Sequence, residues 1–206
     1  MKRKFLLWCI ISVFFLMVSV VGASERIHKD IAGGIVRLHI IADSDDEHDQ
    51  EIKLLVRDAI ISSQEEIFKN GIKKTLNKEE KEKIKSIATK ILTEQGAEYG
   101  ANVETGKFYF PTKRYDNITL PAGDYDAVRV VLGSGKGKNW WCVMYPPLCF
   151  SESALGKADK ESLDVLKENM SDFEYDIIAE EDIKIVPAFK LVEICQIIKE
   201  KIRNSM

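Results

Sequence analysis

An acidic segment, Asp43 to Asp49, carries the residue types that most readily bind a cation. An EF-hand calcium loop needs glycine at its sixth position and glutamate at its twelfth, and these positions hold His48 and Leu54. The segment also precedes a helical pattern, where side-chain oxygens cap free N–H groups and negative charge suits the helix dipole. We therefore interpret it as the start of a helix rather than as a metal site.

The histidines and nucleophiles do not form a known catalytic motif. His28, His39 and His48 have no i, i+4 spacing and no glutamate that would complete an HExxH zinc motif. There is no GxSxG turn, and Cys142 has no histidine close to it in sequence. The glycine-rich stretch Gly133 to Lys138 lacks the Ser or Thr and the helix that follow a Walker A loop. The sequence therefore predicts no catalytic residue, metal or cofactor.

The adjacent pair Trp140 and Trp141 indicates either a core contact or a binding surface. Successive side chains of a strand point to opposite faces, so the two rings cannot share one side. One ring can fill the core, and the other then meets a second element or a partner, where large aromatic side chains often anchor. From the residues alone, both interpretations stay open.

The cysteines suit an exported protein. Cys142 and Cys149 flank the stiff pair Pro146 and Pro147. A disulfide can close this short loop if the two Cα atoms lie within about 7 Å of each other. Disulfides persist in oxidising surroundings, outside the cytosol. Cys195 stands alone in the sequence.

The N-terminus has the layout of a secretory signal. Lys2 to Lys4 form a basic start, Phe5 to Val21 carry no charge, and small residues allow cleavage after Ala23. The apolar run is close to the roughly 20 residues that cross a bilayer, so an uncleaved anchor is the competing interpretation. Both place the rest of the chain outside the membrane. The net charge of −3 becomes more negative without the basic start, so we predict no nucleic-acid partner.

Hydrophobic periodicity predicts a single α+β domain in which helices pack on a small, mainly antiparallel sheet. A strand at 35–42 precedes two helices, at 46–69 and 78–99, which should pack as a hairpin on one sheet face. Further strand patterns lie at 102–110, 125–132 and 140–145. A flexible glycine-rich loop should join the last two strands as an antiparallel hairpin.

The first strand places Val36, Leu38 and Ile40 on one face, with Arg37 and a half-exposed His39 on the other. The predicted division of the chain is a signal peptide or anchor at 1–23 and a core α+β domain at 24–150. A linker and a C-terminal helical extension at 151–206 should pack on the same domain, with helices near 160–170 and 188–202.

Two blocks of sequence resemble the stage II sporulation protein R family of endospore-forming bacteria. The first runs from Arg37 to Asp45 and continues to Ala59. The second includes Asn139 to Cys142 and Pro146 to Cys149, and its WWC-to-PPLC run is very specific. Asp43 departs mildly from the family pattern, which has asparagine in many members.

The resemblance implies a signalling role. Such proteins are secreted from the forespore into the space between the two sporulation membranes, where they activate a membrane-embedded aspartic protease of the mother cell. That protease then removes the pro-segment of an early mother-cell sigma factor. A member of this family is not itself an enzyme and touches the membrane only through its N-terminal signal or anchor. It acts by binding one state of the protease better than another.

The resemblance and the aromatic loop together suggest which residues meet the protease. The predicted partner-binding residues are Trp140, Trp141 and the loop that a Cys142–Cys149 disulfide would close, followed by Arg37, His39 and Asp43. The alternative function is an exported hydrolase that acts on the cell envelope, which would need carboxylates or a metal in a cleft. A membrane-anchored structural protein is a third class.

Overall fold

The helices and strands of the chain follow one another in an irregular order. The computed structural model describes residues 2–68, 76–115, 118–145 and 160–179. Within these residues the elements are α1 (Lys2–Gly33), β1 (Val36–Ile41), α2 (Glu47–Ser62), α3 (Gln64–Ile67), α4 (Lys78–Glu94), β2 (Ala101–Phe110), β3 (Lys113–Tyr115), β4 (Ile118–Leu120), β5 (Gly123–Leu132), β6 (Asn139–Tyr145), α5 (Lys160–Glu168) and α6 (Asp172–Ala179).

The main sheet has the strand order β2-β5-β1-β6. β1 runs parallel to β5 and antiparallel to β6, and β2 is antiparallel to β5. β3 and β4 form a separate antiparallel ribbon. The prediction of an α+β fold with a mainly antiparallel sheet is confirmed. The predicted hairpin of β5 and β6 is wrong, because β1 lies between these two strands.

The connection from β5 to β6 crosses over the end of β1. The N–H of Lys136 donates to the carbonyl of Asp43 and that of Gly137 to the carbonyl of Ala42, both at 3.0 Å. A Cβ added at Gly137 would lie 2.1 Å from the carbonyl oxygen of Ser44, so only glycine allows this approach. The glycine-rich loop that was expected to be flexible is therefore anchored to the end of β1.

The first face of the sheet is covered by α2 and α4. Leu38 and Ile40 of β1 pack with Ile52 and Val56 of α2 and with Ile84 of α4, and all five side chains are fully buried. The predicted helical hairpin on one face is thus confirmed. The helix expected at 46–69 is instead interrupted after Ser62.

The second face of the sheet is covered by the end of α1, the ribbon of β3 and β4, and helices α5 and α6. Their shared core includes Ile31, Phe110, Tyr125, Leu166 and Ile178. Because this face is also covered, Arg37 and His39 are buried, and the expectation that His39 is half-exposed is wrong. The short helix expected at 160–170 is present as α5, whereas the one at 188–202 lies outside the described residues.

Helix α1 changes character along its length. Its side chains from Phe5 to Val20 are exposed, Trp8 at 68% for example, whereas Ile31 is fully buried in the second core. By length and composition, Lys4–Gly33 could cross a membrane, and a signal sequence at the N-terminus meets the same test. The change from exposed to buried residues falls close to the predicted cleavage position after Ala23.

Candidate binding site

Strand register brings three of the predicted site residues together on the second face. Arg37 and His39 are alternate residues of β1, and His39 lies opposite Trp141 of β6. The rings of His39 and Trp141 are stacked, with centroids 5.6 Å apart and an angle of 28° between their planes. We call this group the arginine site. It consists of Arg37, His39 and Trp141 together with the rings that contact Arg37, which are those of Phe110, Tyr115 and Tyr125.

Arg37 is fully buried in the centre of the arginine site. Its Nη2 donates a hydrogen bond of 2.6 Å to the hydroxyl of Tyr115. The guanidinium carbon lies 4.3 Å from the ring centroid of Phe110 and 5.0 Å from that of Tyr125. Each such ring contributes about 0.5–2 kcal/mol of attraction to a cation. Aromatic faces therefore surround this charge.

The charge of Arg37 is not neutralised by a carboxylate among the described residues. None of the ion pairs in this part of the chain includes Arg37. Its Nε and Nη1 are buried and have no hydrogen-bond partner. Taking a charged group out of water is expensive, and ring faces offset only part of this cost. The guanidinium thus retains unused donors.

His39 is held in its neutral form. Burial lowers the pKa of His39 below its ordinary value, the bond to Asn139 opposes this, and the nearby charges of Arg129 and Arg37 add to the lowering. The Nε2 atom of His39 lies 2.8 Å from the side-chain oxygen of Asn139. Because this oxygen can only accept, the neutral ring carries its hydrogen on Nε2 and donates it to Asn139. Nδ1 is then a buried acceptor without a partner.

The edge of the arginine site is partly open. Trp141 is half-buried, and the ammonium of Lys113 lies 4.3 Å from its ring centroid. The hydroxyl of Tyr115 donates to the backbone carbonyl of Trp141 at 3.4 Å. On the other side of His39, Arg129 forms an ion pair with Glu104. The open edge is thus lined mainly by basic and aromatic side chains.

The other predicted site residues lie elsewhere. Trp140 points to the first face, as alternation requires, and its ring lies under the guanidinium of Arg57 with 5.3 Å between centroid and Cζ. The side chain of Asp43 accepts a hydrogen bond from the backbone N–H of Ser134. The backbone carbonyl of Asp43 accepts a second one from the hydroxyl of Ser134. Asp43 thus fixes the β5–β6 connection, and the structure does not bring it to the arginine site.

The proposed disulfide loop is only half described. Cys142 is buried on the first face of the sheet. Cys149 and Cys195 lie outside the described residues, so the Cys142–Cys149 pairing and the surface of that loop stay predictions.

Sequence reasoning missed the residues that surround Arg37. Phe110, Tyr115 and Tyr125 form the ring contacts, and Lys113 covers Trp141. The one available signal was the concentration of aromatic residues between 108 and 125. In the described part of the chain no group of three or more His, Cys, Asp or Glu side chains could hold a metal ion.

Taken together, the described residues define one class of protein: an α+β domain that follows an exposed apolar helix and contains an aromatic site around a buried arginine. The chain belongs to the stage II sporulation protein R family, whose sequence model matches residues 32–155. It is similar to Stage II sporulation protein R of Bacillus subtilis (strain 168), with 40% identity over 139 residues. That alignment covers 63% of this chain and 59% of the relative, which is less than two thirds of the relative's length. No solved structure matches the chain.

The family membership supports a role in sporulation. The exposed apolar helix at the N-terminus agrees with a signal sequence and with export of the domain that follows it.

Proposed function

We propose that this chain is a signalling protein that is secreted from the forespore and activates a membrane-embedded aspartic protease of the mother cell. The observation that supports this most is the family match over residues 32–155, which covers the whole main sheet behind the exposed apolar helix. The activated protease then processes the precursor of an early mother-cell sigma factor. In this proposal the chain itself breaks no bond.

A non-enzymatic activator must bind the active state of its target better than the inactive state. Such binding needs a surface that the domain does not use for its own core. The open edge of the arginine site offers one, since Trp141 and Lys113 are half-buried and lie against each other. Aromatic and basic side chains of this kind are common anchors of protein interfaces.

The test is a reconstitution in a bacterium that does not sporulate. The chain is co-expressed with the candidate protease and the sigma-factor precursor, and the length of the precursor is followed on a gel. We expect the precursor to shorten only when this chain and its signal segment are both present. Trp141→Ala should reduce the rate of processing at least about tenfold, the loss expected for an interface anchor.

Trp140→Ala is the matched control, because Trp140 is also half-buried but its ring lies against Arg57 of α2 on the opposite side of the sheet. We expect this variant to process the precursor at close to the wild-type rate if it is exported in equal amount. Absence of processing, with all three proteins present and the chain exported, would contradict the activator role and favour the envelope hydrolase.

A further inference from the structure

The strongest unexplained feature of the domain is the unpaired charge of Arg37. Buried polar groups in native proteins almost always have hydrogen-bond partners, so each exception requires a reason. Here the exception is a guanidinium with zero exposure whose Nε and Nη1 are both unsatisfied. An arrangement that is costly for the free domain is retained most readily where a ligand completes it.

The chemistry of the missing group follows from the charge and the free donors of Arg37. A guanidinium matches the two oxygens of a carboxylate through the planar fork of Nη1 and Nη2 or that of Nε and Nη2. Glu104, a carboxylate in the same row of the sheet as His39, is already paired with Arg129. The Arg129–Glu104 pair has no net charge, and Lys113 beside the Trp141 ring adds positive charge. The surroundings therefore favour an anion supplied from outside the described domain.

β3 lies against Arg37 and Trp141. Tyr115 of β3 bonds to Arg37 and to the carbonyl of Trp141, and Lys113 of the same strand covers the Trp141 ring. These contacts are all made by side chains of one three-residue strand, and a two-stranded ribbon has little stability of its own. β4 is fixed more firmly, because Ile118 and Leu120 are fully buried in the second core.

We propose that Arg37 receives a carboxylate from an Asp or Glu side chain of the activated protease, when β3 moves away from Trp141. His39 and Trp141 line the entrance. One carboxylate oxygen takes Nη1, which the free domain leaves unused, and the other takes Nη2, which Tyr115 releases when β3 moves. This inference rests on the proposed function and names the group by which the protease is recognised.

The test uses Arg37→Met in the same reconstitution, together with thermal unfolding of the purified full-length chain. Methionine fills a similar volume without the charge, and replacing buried charged groups by apolar ones of similar volume is often neutral or stabilising. We expect an unchanged or higher unfolding midpoint and a loss of processing of at least about tenfold, as for truncation of an interface anchor.

Arg57→Met is the matched control. Arg57 also lies over an indole ring, that of Trp140, but on the first sheet face and in an ion pair with Asp58. With the Arg57→Met variant, the precursor should be processed at the wild-type rate. Full processing by Arg37→Met would overturn the inference while leaving the proposed function intact. A lower unfolding midpoint would also overturn it, because the charge would then be supporting the free fold.

The second arm identifies the carboxylate. Each Asp and Glu in the extracytoplasmic part of the protease is replaced in turn by Asn or Gln. We expect one replacement to abolish processing by the wild-type chain and to add nothing to the defect of Arg37→Met. If processing tolerates every replacement, no carboxylate of the protease pairs with Arg37 and the inference is wrong. Failure of the wild-type chain to trigger any processing would instead contradict the proposed function.

Discussion

His39 shows how burial sets the charge of a single residue in this domain. Its pKa is lowered chiefly by burial, so the folded state takes up a proton less readily than the unfolded state. The stability that the neutral ring contributes is present above its unfolded pKa of about 6.5 and is lost as the pH falls below that value.

We therefore expect the free energy of unfolding to decrease as the pH falls from 7 to 5. The contribution of His39 to this slope can reach about 1.4 kcal/mol per pH unit. His39→Gln, which does not titrate, should have a shallower slope in urea denaturation at several pH values. Equal slopes in the two proteins would show that His39 does not cause the dependence.

At the residue scale, strand alternation was a sound guide. It predicted that Arg37 and His39 share a face and that Trp140 and Trp141 point in opposite directions, because side-chain direction is a local property of a strand. It could not predict that Tyr115 lies on Arg37. That contact joins residues 78 positions apart and depends on how the ribbon folds back over the sheet.

At the scale of elements, the connection between β5 and β6 depends on glycine. Gly137→Ala would place a methyl group 2.1 Å from the carbonyl oxygen of Ser44, so the connection must move away from β1. We expect a loss of about 1–3 kcal/mol in the free energy of unfolding, as for other forced close contacts. Chemical denaturation of the purified domain measures this loss.

Gly100→Ala serves as the control for that variant, because nothing lies within 4 Å of a Cβ added there. It should stay within about 0.5 kcal/mol of the wild type, which is usual for surface substitutions. Similar effects of the two substitutions would show that the approach of Gly137 to β1 carries no special constraint.

Most elements could be predicted from the sequence, but their pairing could not. The strands near 102–110 and 140–145 were expected almost where β2 and β6 lie, because local periodicity reports local structure. The pairing of β5 with β6 was expected because they are adjacent in sequence. In the fold, β1 takes the place between them through contacts such as Leu38 with Val128 and Cys142, which no local pattern reveals.

At the scale of the whole molecule, the exposed part of α1 is separable from the domain. We expect a chain that begins at Ser24 to unfold at the same urea concentration as the full-length protein, because the apolar residues removed, Phe5 to Val20, are exposed. This agrees with the proposed boundary between the segment 1–23 and the domain that follows it. Circular dichroism of the purified proteins measures the midpoint.

A chain that begins at Gly34 is the contrasting variant, since it also lacks Ile31, which is fully buried. It should be less stable by at least about 2–5 kcal/mol, the usual loss for removing one large apolar core side chain. A chain from Ser24 that is equally destabilised would place the boundary of the domain further towards the N-terminus than proposed.

The central position of β1 also determines when the sheet can be completed. β1 comes early in the chain, yet its two neighbours, β5 and β6, come late, and the bond between His39 and Asn139 joins residues 100 positions apart. If the chain is exported from its N-terminus, β1 emerges before β5 and β6, and both of its edges stay unpaired until the second half of the chain arrives. Such long-range pairing slows folding, and unpaired apolar edges favour aggregation. In an exported chain the sheet would therefore be most exposed to aggregation before β5 and β6 have crossed the membrane.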